Sequence, residues 1–146
     1  MGVINITPDS FSDGGRFLAS ERALAEAQRQ LNNGADVLDL GAQSTRPGAE
    51  EVGEEEELRR LLPALKAIRK KNPNALISVD TFLAPVAARA LEAGASWIND
   101  VSAGRRDPDL LRVVADAGCP VVLMHSRGNS QSMDQLTNYS DVVADV

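Results

Sequence analysis

The residues best suited to chemistry stand where short apolar runs end. Asn5 interrupts the first run one residue before its end. The stretch Ile6-Thr7-Pro8-Asp9-Ser10-Phe11-Ser12-Asp13-Gly14-Gly15 follows. Asn is depleted in strands, so an amide at that place needs a task. The stretch after it holds two carboxylates, three hydroxyls and one aromatic, Phe11, with no large apolar side chain beside it. It closes on a glycine pair, whose backbone reaches angles other residues avoid. The second run ends at Asp39 and leads into Gln43-Ser44-Thr45-Arg46-Pro47-Gly48. The third ends at Asp80-Thr81, the fourth at Asn99-Asp100 and the fifth at Met124-His125-Ser126-Arg127.

These groups suggest a chemistry. Asp80 and Asn99 offer an acceptor and a mixed donor–acceptor, which suits the edge of a nitrogen heterocycle bearing amino and ring N–H groups. Asn5 and the aspartates after it are hard oxygen donors. Mg²⁺ takes few such protein ligands and completes its shell with water and phosphate. The chain's net charge is −6, so an anionic ligand such as a diphosphate needs a metal ion or local donors to be held. Metal-bound, a diphosphate is a good leaving group. Phe11, Thr45 and Pro47 would then cover the reacting carbon and a second, small aromatic substrate. Arg46 is an odd choice for a plain turn. His125 is the only histidine, and with no Cys or second His near it a structural hydrogen bond is expected. The sequence has no Gly-x-Gly-x-x-Gly or Walker-type loop and no Ser-His-Asp logic.

The elements that position these residues alternate. Apolar runs at 2–6, 36–40, 75–79, 95–98 and 120–124 are short and lack clean alternation, as strands of a parallel sheet do. Helices lie between them. The first carries Leu24, Ala27 and Leu31, with Ser20 as cap and Gly34 as stop. The second carries Leu58, Leu61, Leu62, Leu65 and Ile68, with Pro63 expected to kink it or mark its start. The third opens near Pro85 and stops at Gly94. The fourth has Asp107 as cap and Pro108 at the first helical position, and stops at Gly118. A fifth is expected near Tyr139. The acidic run 50–57 reads as a solvated face matched to a helix dipole. Trp97 and Cys119 read as packed residues and Arg105-Arg106 as a solvated loop.

An internal repeat supports the alternation. Asn33-Gly34-Ala35-Asp36-Val37 and Ala93-Gly94-Ala95-Ser96-Trp97 superimpose, and Ala117-Gly118-Cys119-Pro120-Val121 follows the same plan. Each is a glycine-stopped helix, a small residue and a strand. Successive βα units give a doubly wound open sheet, flavodoxin-like, or a (β/α)₈ barrel. In either case ligands sit at the carboxyl ends of the strands, where the unusual polar residues fall. A barrel needs about 250 residues, so on that reading these 146 residues are the first five βα units. No linker divides them, and they form the N-terminal portion of a single domain.

The composition, 43% apolar with one cysteine, suits a globular core in a reducing compartment. The expected location is the cytoplasm, or an organelle were a transit peptide to precede Met1. No apolar run is long enough to span a membrane. The acidic balance argues against nucleic acid or an anionic membrane as partner.

In order and spacing, the segment 5–15, Ser44-Thr45-Arg46-Pro47-Gly48, Ser78-Val79-Asp80-Thr81, Ile98-Asn99-Asp100 and Leu123-Met124-His125 resemble dihydropteroate synthase, across the whole chain. That family is a (β/α)₈ barrel. It joins 6-hydroxymethyl-7,8-dihydropterin diphosphate to p-aminobenzoate and releases diphosphate, in folate synthesis. The resemblance implies Mg²⁺ held by Asn5 and Asp9. It implies substrate contacts by Thr45, Asp80, Asn99 and Met124 and by Phe11 and Pro47, which resemble the walls of the site where sulfonamides compete. Asp9, Asp13 and Arg46 are the candidate catalytic residues, and the complete enzyme is expected to be a homodimer. The implied mechanism is dissociative. Gln43 stands where many bacterial members have Glu. The family's second pterin-pocket aspartate, its Ser-Arg-Lys lysine and its Arg-x-His diphosphate clamp are not in these 146 residues, so the chain alone is expected to be inactive. The competing readings are a pterin-dependent methyltransferase on the same barrel and a non-catalytic pterin-binding fragment.

Overall fold

The computed structural model of the chain describes residues 1–6, 15–43, 52–128, 132 and 135–146, with only the backbone for 15–18. The candidate residues Asp9, Phe11, Asp13, Thr45, Arg46 and Pro47 lie outside the described residues.

Strands and helices alternate: β1 (Gly2–Asn5), α1 (Gly15–Asn32), β2 (Val37–Gly41), α2 (Glu54–Lys71), β3 (Leu76–Asp80), α3 (Ala84–Glu92), β4 (Trp97–Asp100), α4 (Asp109–Ala117), β5 (Val121–Leu123) and α5 (Val142–Asp145). The five strands form one parallel sheet in the order β1-β2-β3-β4-β5. A doubly wound sheet reverses its order at a switch point. This sheet does not, and α1 packs on α2, α2 on α3 and α3 on α4. The flavodoxin-like alternative therefore falls. Five successive βα units wound in one direction are the first part of a (β/α)₈ barrel.

The register explains which face meets the helices. Ile4, Leu40, Val79 and Ile98 pair in sequence across the four strands, and each is at most 3% exposed. Successive strand residues alternate between faces, so this row and the Leu38–Ile77 pair below it form the helix-covered side. Ala23 and Ala27 of α1, Leu61, Leu65 and Ile68 of α2, Ala87 and Ala90 of α3 and Leu110 and Val114 of α4 close on it. The sequence reading of strands without alternation was too coarse. Only one face is fully covered, and Val3, Leu76 and Val122 remain exposed.

Local sequence sets the helix ends. Gly34, Gly94 and Gly118, the glycines of the repeat, all have positive φ, a backbone that costs a side chain strain. Helix α2 runs through Pro63 without starting there. Four glutamates fill its first turn and Arg69, Lys70 and Lys71 its last, matching both ends of the dipole. Ser20 lies inside α1 and is not its cap. Helix α4 begins at Asp109, one residue later than expected, with Pro108 before it. Asp107 accepts from the Asp109 N–H through Oδ1 (3.1 Å) and from the Ala84 N–H of α3 through Oδ2 (2.8 Å). One carboxylate thus serves two helix starts. On the opposite side of the sheet, the Arg69 guanidinium donates to the carbonyls of Pro73, Ala75 and Gly94 at 2.7–3.0 Å. That ties the α2–β3 turn to the α3–β4 turn. Among the described residues no helix is long and apolar enough to cross a membrane.

Candidate active site

The register that builds the core also builds the site. Asn5 pairs with Gly41, Gly41 with Asp80 and Asp80 with Asn99. The four residues form one cross-strand row at the carboxyl ends of β1 to β4, on the face turned away from the helices. Gly41 contributes no side chain. A Cβ built there would lie 3.5 Å from Asp80 Oδ2 and 3.7 Å from Asn5 Oδ1. The carboxylate and the amide therefore converge on the space that the glycine leaves open.

One step deeper on the same face, Asp39 pairs with Ser78 and Ser78 with Trp97. Asn99 Nδ2 donates to Asp39 Oδ2 at 3.2 Å, linking the two rows. Asp39 Oδ1, Ser78 Oγ and Trp97 Nε1 are buried without a hydrogen-bond partner among the described residues. Buried polar groups are normally paired, so this face is chemically incomplete as it stands. Trp97, expected in the core, lies in this row on the open face.

Burial is the main cause that raises the Asp80 carboxyl to about 7, and the negative charges of Asp39, Glu57 and Asp100 add to it. Among the described residues no hydrogen bond to the Asp80 carboxyl offsets them. A ligand that brings N–H donors to this edge would be favoured strongly. Asp80 does not cap α3. That helix start uses Asp107, and Thr81 Oγ1 accepts from the Leu83 N–H (3.2 Å). Asp100 also serves the fold. Its two oxygens accept from the N–H groups of Ser102 (2.7 Å) and Gly104 (2.6 Å).

Met124 follows β5 at the same rim, half-exposed, with its N–H donating to the Asp100 carbonyl (3.0 Å). His125 Nε2 lies 3.2 Å from Tyr139 Oη, the hydrogen bond expected of it. Arg105 and Arg106 are exposed, and the Arg106 guanidinium lies over the Phe82 ring. Among the described residues no group of three His, Cys, Asp or Glu could hold a metal ion. Asn5, at the outer end of the row, is the one proposed metal ligand that the described residues include.

One group escaped sequence reasoning. Glu57 sits inside the acidic run and was expected to be solvated. Glu54 and Glu55 are exposed, but Glu57 is completely buried. Gln43 Nε2 donates to its Oε2 at 2.6 Å. Burial raises the Glu57 carboxyl, and the Gln43 amide that donates to it opposes that shift. Helical spacing held the signal, since Glu57 precedes Leu61 and Leu65 by four and eight positions on the buried stripe.

A family model described as "Pterin binding enzyme" matches residues 1–146. The chain belongs to the pterin-binding enzyme family. Among relatives, the dihydropteroate synthase of Synechocystis is 46% identical over 146 residues, covering all of this chain and 50% of the relative. A Xanthomonas albilineans dihydropteroate synthase solved with 4-aminobenzoic acid is 47% identical with a TM-score of 0.83, covering 99% of this chain and 49% of that one. A Yersinia pestis dihydropteroate synthase solved in a sulfonamide drug complex is 43% identical with a TM-score of 0.88, covering 99% and 52%. The chain thus spans about half the length of each of these three synthases.

Proposed function

We propose that this chain is the substrate-reading first half of a dihydropteroate synthase. The observation that carries the reading is the Asn5–Gly41–Asp80–Asn99 row. It sets an electron-rich carboxylate and two amides around a gap on the open face of the sheet. The edge of a dihydropterin, with its amino group and ring N–H, presents donors to such an acceptor. Asp80 accepts two of them, and Asn99, held by Asp39, reads a mixed pair beside it. Thr45 and Met124 border the same ligand, and Phe11 and Pro47 flank p-aminobenzoate.

In the reaction the bond between the pterin methylene carbon and the diphosphate oxygen breaks. The amine nitrogen of p-aminobenzoate then bonds to that carbon and loses a proton. Asp9, Asp13 and Arg46 act around the reacting carbon and the leaving group. Asn5, a hard oxygen donor exposed at the end of β1, fits Mg²⁺, which needs only one or two protein ligands. Asp9 would be the second. The ion supplies charge neutralisation for the departing diphosphate. The remaining diphosphate and pterin contacts come from the other half of a full-length synthase, which acts as a homodimer in the cytoplasm.

The test is an assay of dihydropteroate formation by a full-length synthase carrying this sequence as its first half. Turnover that requires both substrates, and that a sulfonamide inhibits in competition with p-aminobenzoate, is expected. A folded enzyme that binds the pterin but transfers a methyl group, or nothing, would overturn the reading.

A further inference from the structure

The Gln43–Glu57 contact is more than core filling. Gln43 is 7% exposed and Glu57 is fully buried. Together they tie three pieces of chain at the rim. Gln43 Nε2 donates both to Glu57 Oε2 (2.6 Å) and to the Val52 carbonyl (3.2 Å). Gln43 Oε1 accepts from the Val52 N–H (3.3 Å). The amide thus binds both polar groups of one backbone residue, as a neighbouring strand would. Glu57, in the first turn of α2, anchors that amide through Oε2, while its Oε1 has no partner among the described residues. Arg60 reinforces the junction from the next turn of α2, donating to the Ala42 carbonyl (3.3 Å).

A primary amide suits this place. It has two N–H donors and an acceptor, and all are used. Residues 43 and 52 are also the immediate flanks of the sequence that contains Thr45, Arg46 and Pro47.

We propose that Gln43 and Glu57 are a positioning pair, which fixes the distance between residues 43 and 52. The proposal rests on the assignment of Thr45, Arg46 and Pro47 to the substrate site. The pair does no chemistry itself. It holds the groups that do.

The experiment uses a full-length synthase carrying this sequence as its first half. The unsubstituted enzyme is assayed first, and absence of dihydropteroate formation there would sink the functional reading rather than this one. The double variant Gln43→Leu/Glu57→Leu replaces both buried partners by apolar groups of similar size, and half-buried Val52 loses its two hydrogen bonds to Gln43. Its thermal midpoint is expected to fall by a few degrees while the enzyme stays folded at the assay temperature. Its kcat/KM is expected to fall about tenfold or more, because small misplacements of positioning groups are costly, with most of the loss in KM. Glu57→Gln keeps an oxygen acceptor for the Gln43 amide and is expected to retain the parental KM. Parental kinetics in the double variant would overturn the proposal. So would an equal loss in Glu57→Gln, which would make charge rather than geometry the important property. Unfolding of both variants would reduce the pair to a stability element and overturn it as well.

Discussion

At Asp80 the proposed binding role stands against the stability of the fold. With its carboxyl raised from 3.8 to about 7, the folded chain holds a proton that the unfolded chain has released at intermediate pH. The unfolded state then binds fewer protons, so this group's contribution to stability falls as pH rises from about 4 to 7 and stays low above that. Asp80→Asn removes the penalty. Measured by urea unfolding, the variant should match wild type near pH 4 and exceed it by about 2–4 kcal/mol at pH 8. An Asp80→Asn advantage that is independent of pH would show that the carboxyl is ionised at its ordinary value. Gly41 makes a separate prediction. A methyl there meets Asp80 Oδ2 and Asn5 Oδ1 at ordinary contact distances, so Gly41→Ala should fold. It would also occupy the gap in the row, and pterin affinity in a full-length synthase should drop at least about tenfold. Asn5→Ala, by contrast, should leave the thermal midpoint within a few degrees and raise the Mg²⁺ needed for half-maximal rate. A collapsed midpoint with unchanged Mg²⁺ dependence would make Asn5 a structural amide.

At the scale of elements, the five strands and five helices among the described residues were legible in the sequence, with strand ends shifted by a residue or two and some helix starts by three to five. Short apolar runs, glycine stops and the repeat carried that information. The reading failed at Ser20, Pro63 and Glu57, and at the last two a tertiary contact had overridden a local signal. Ser20 can cap a helix, yet α1 begins at Gly15, five residues earlier. Pro63 breaks the hydrogen-bond ladder, yet α2 continues through it because Leu61, Ala64 and Leu65 on both sides are fully buried. Glu57 looks like its solvated neighbours until the helix turns it inward onto Gln43. The candidate row was legible where strand ends deliver it, at Asn5, Asp80 and Asn99. The polar row beneath, Asp39–Ser78–Trp97, was not, because its pairing depends on register between strands that are far apart in sequence. Arg69 offers a test of the opposite side of the sheet. It joins two turns through three carbonyls, and charge-assisted bonds of this kind are the stronger ones. Arg69→Ala should lower unfolding stability by about 2–4 kcal/mol, with ligand affinity unchanged in the folded fraction. A loss under about 0.5 kcal/mol would mean that water replaces the guanidinium freely.

For the whole molecule, the sheet among the described residues has two unpaired edges, at β1 and β5. Val3, Val122 and Leu123 on those strands and Met124 just after β5 are 42–52% exposed. Unpaired edges and exposed apolar groups both invite association. A polypeptide of these 146 residues alone is expected to run larger than a monomer by light scattering and to form no dihydropteroate. A stable monomer with turnover would contradict the assignment of essential groups to the other half of the barrel. The most direct test of the central claim is the calorimetric affinity of 6-hydroxymethyl-7,8-dihydropterin diphosphate for a full-length synthase carrying this sequence, compared with its Asp80→Asn variant. Two charge-assisted bonds at about 1.5–3 kcal/mol each predict a loss of at least tenfold in the variant. Equal affinities would remove Asp80, and with it the row across the strand ends, from the recognition of the pterin.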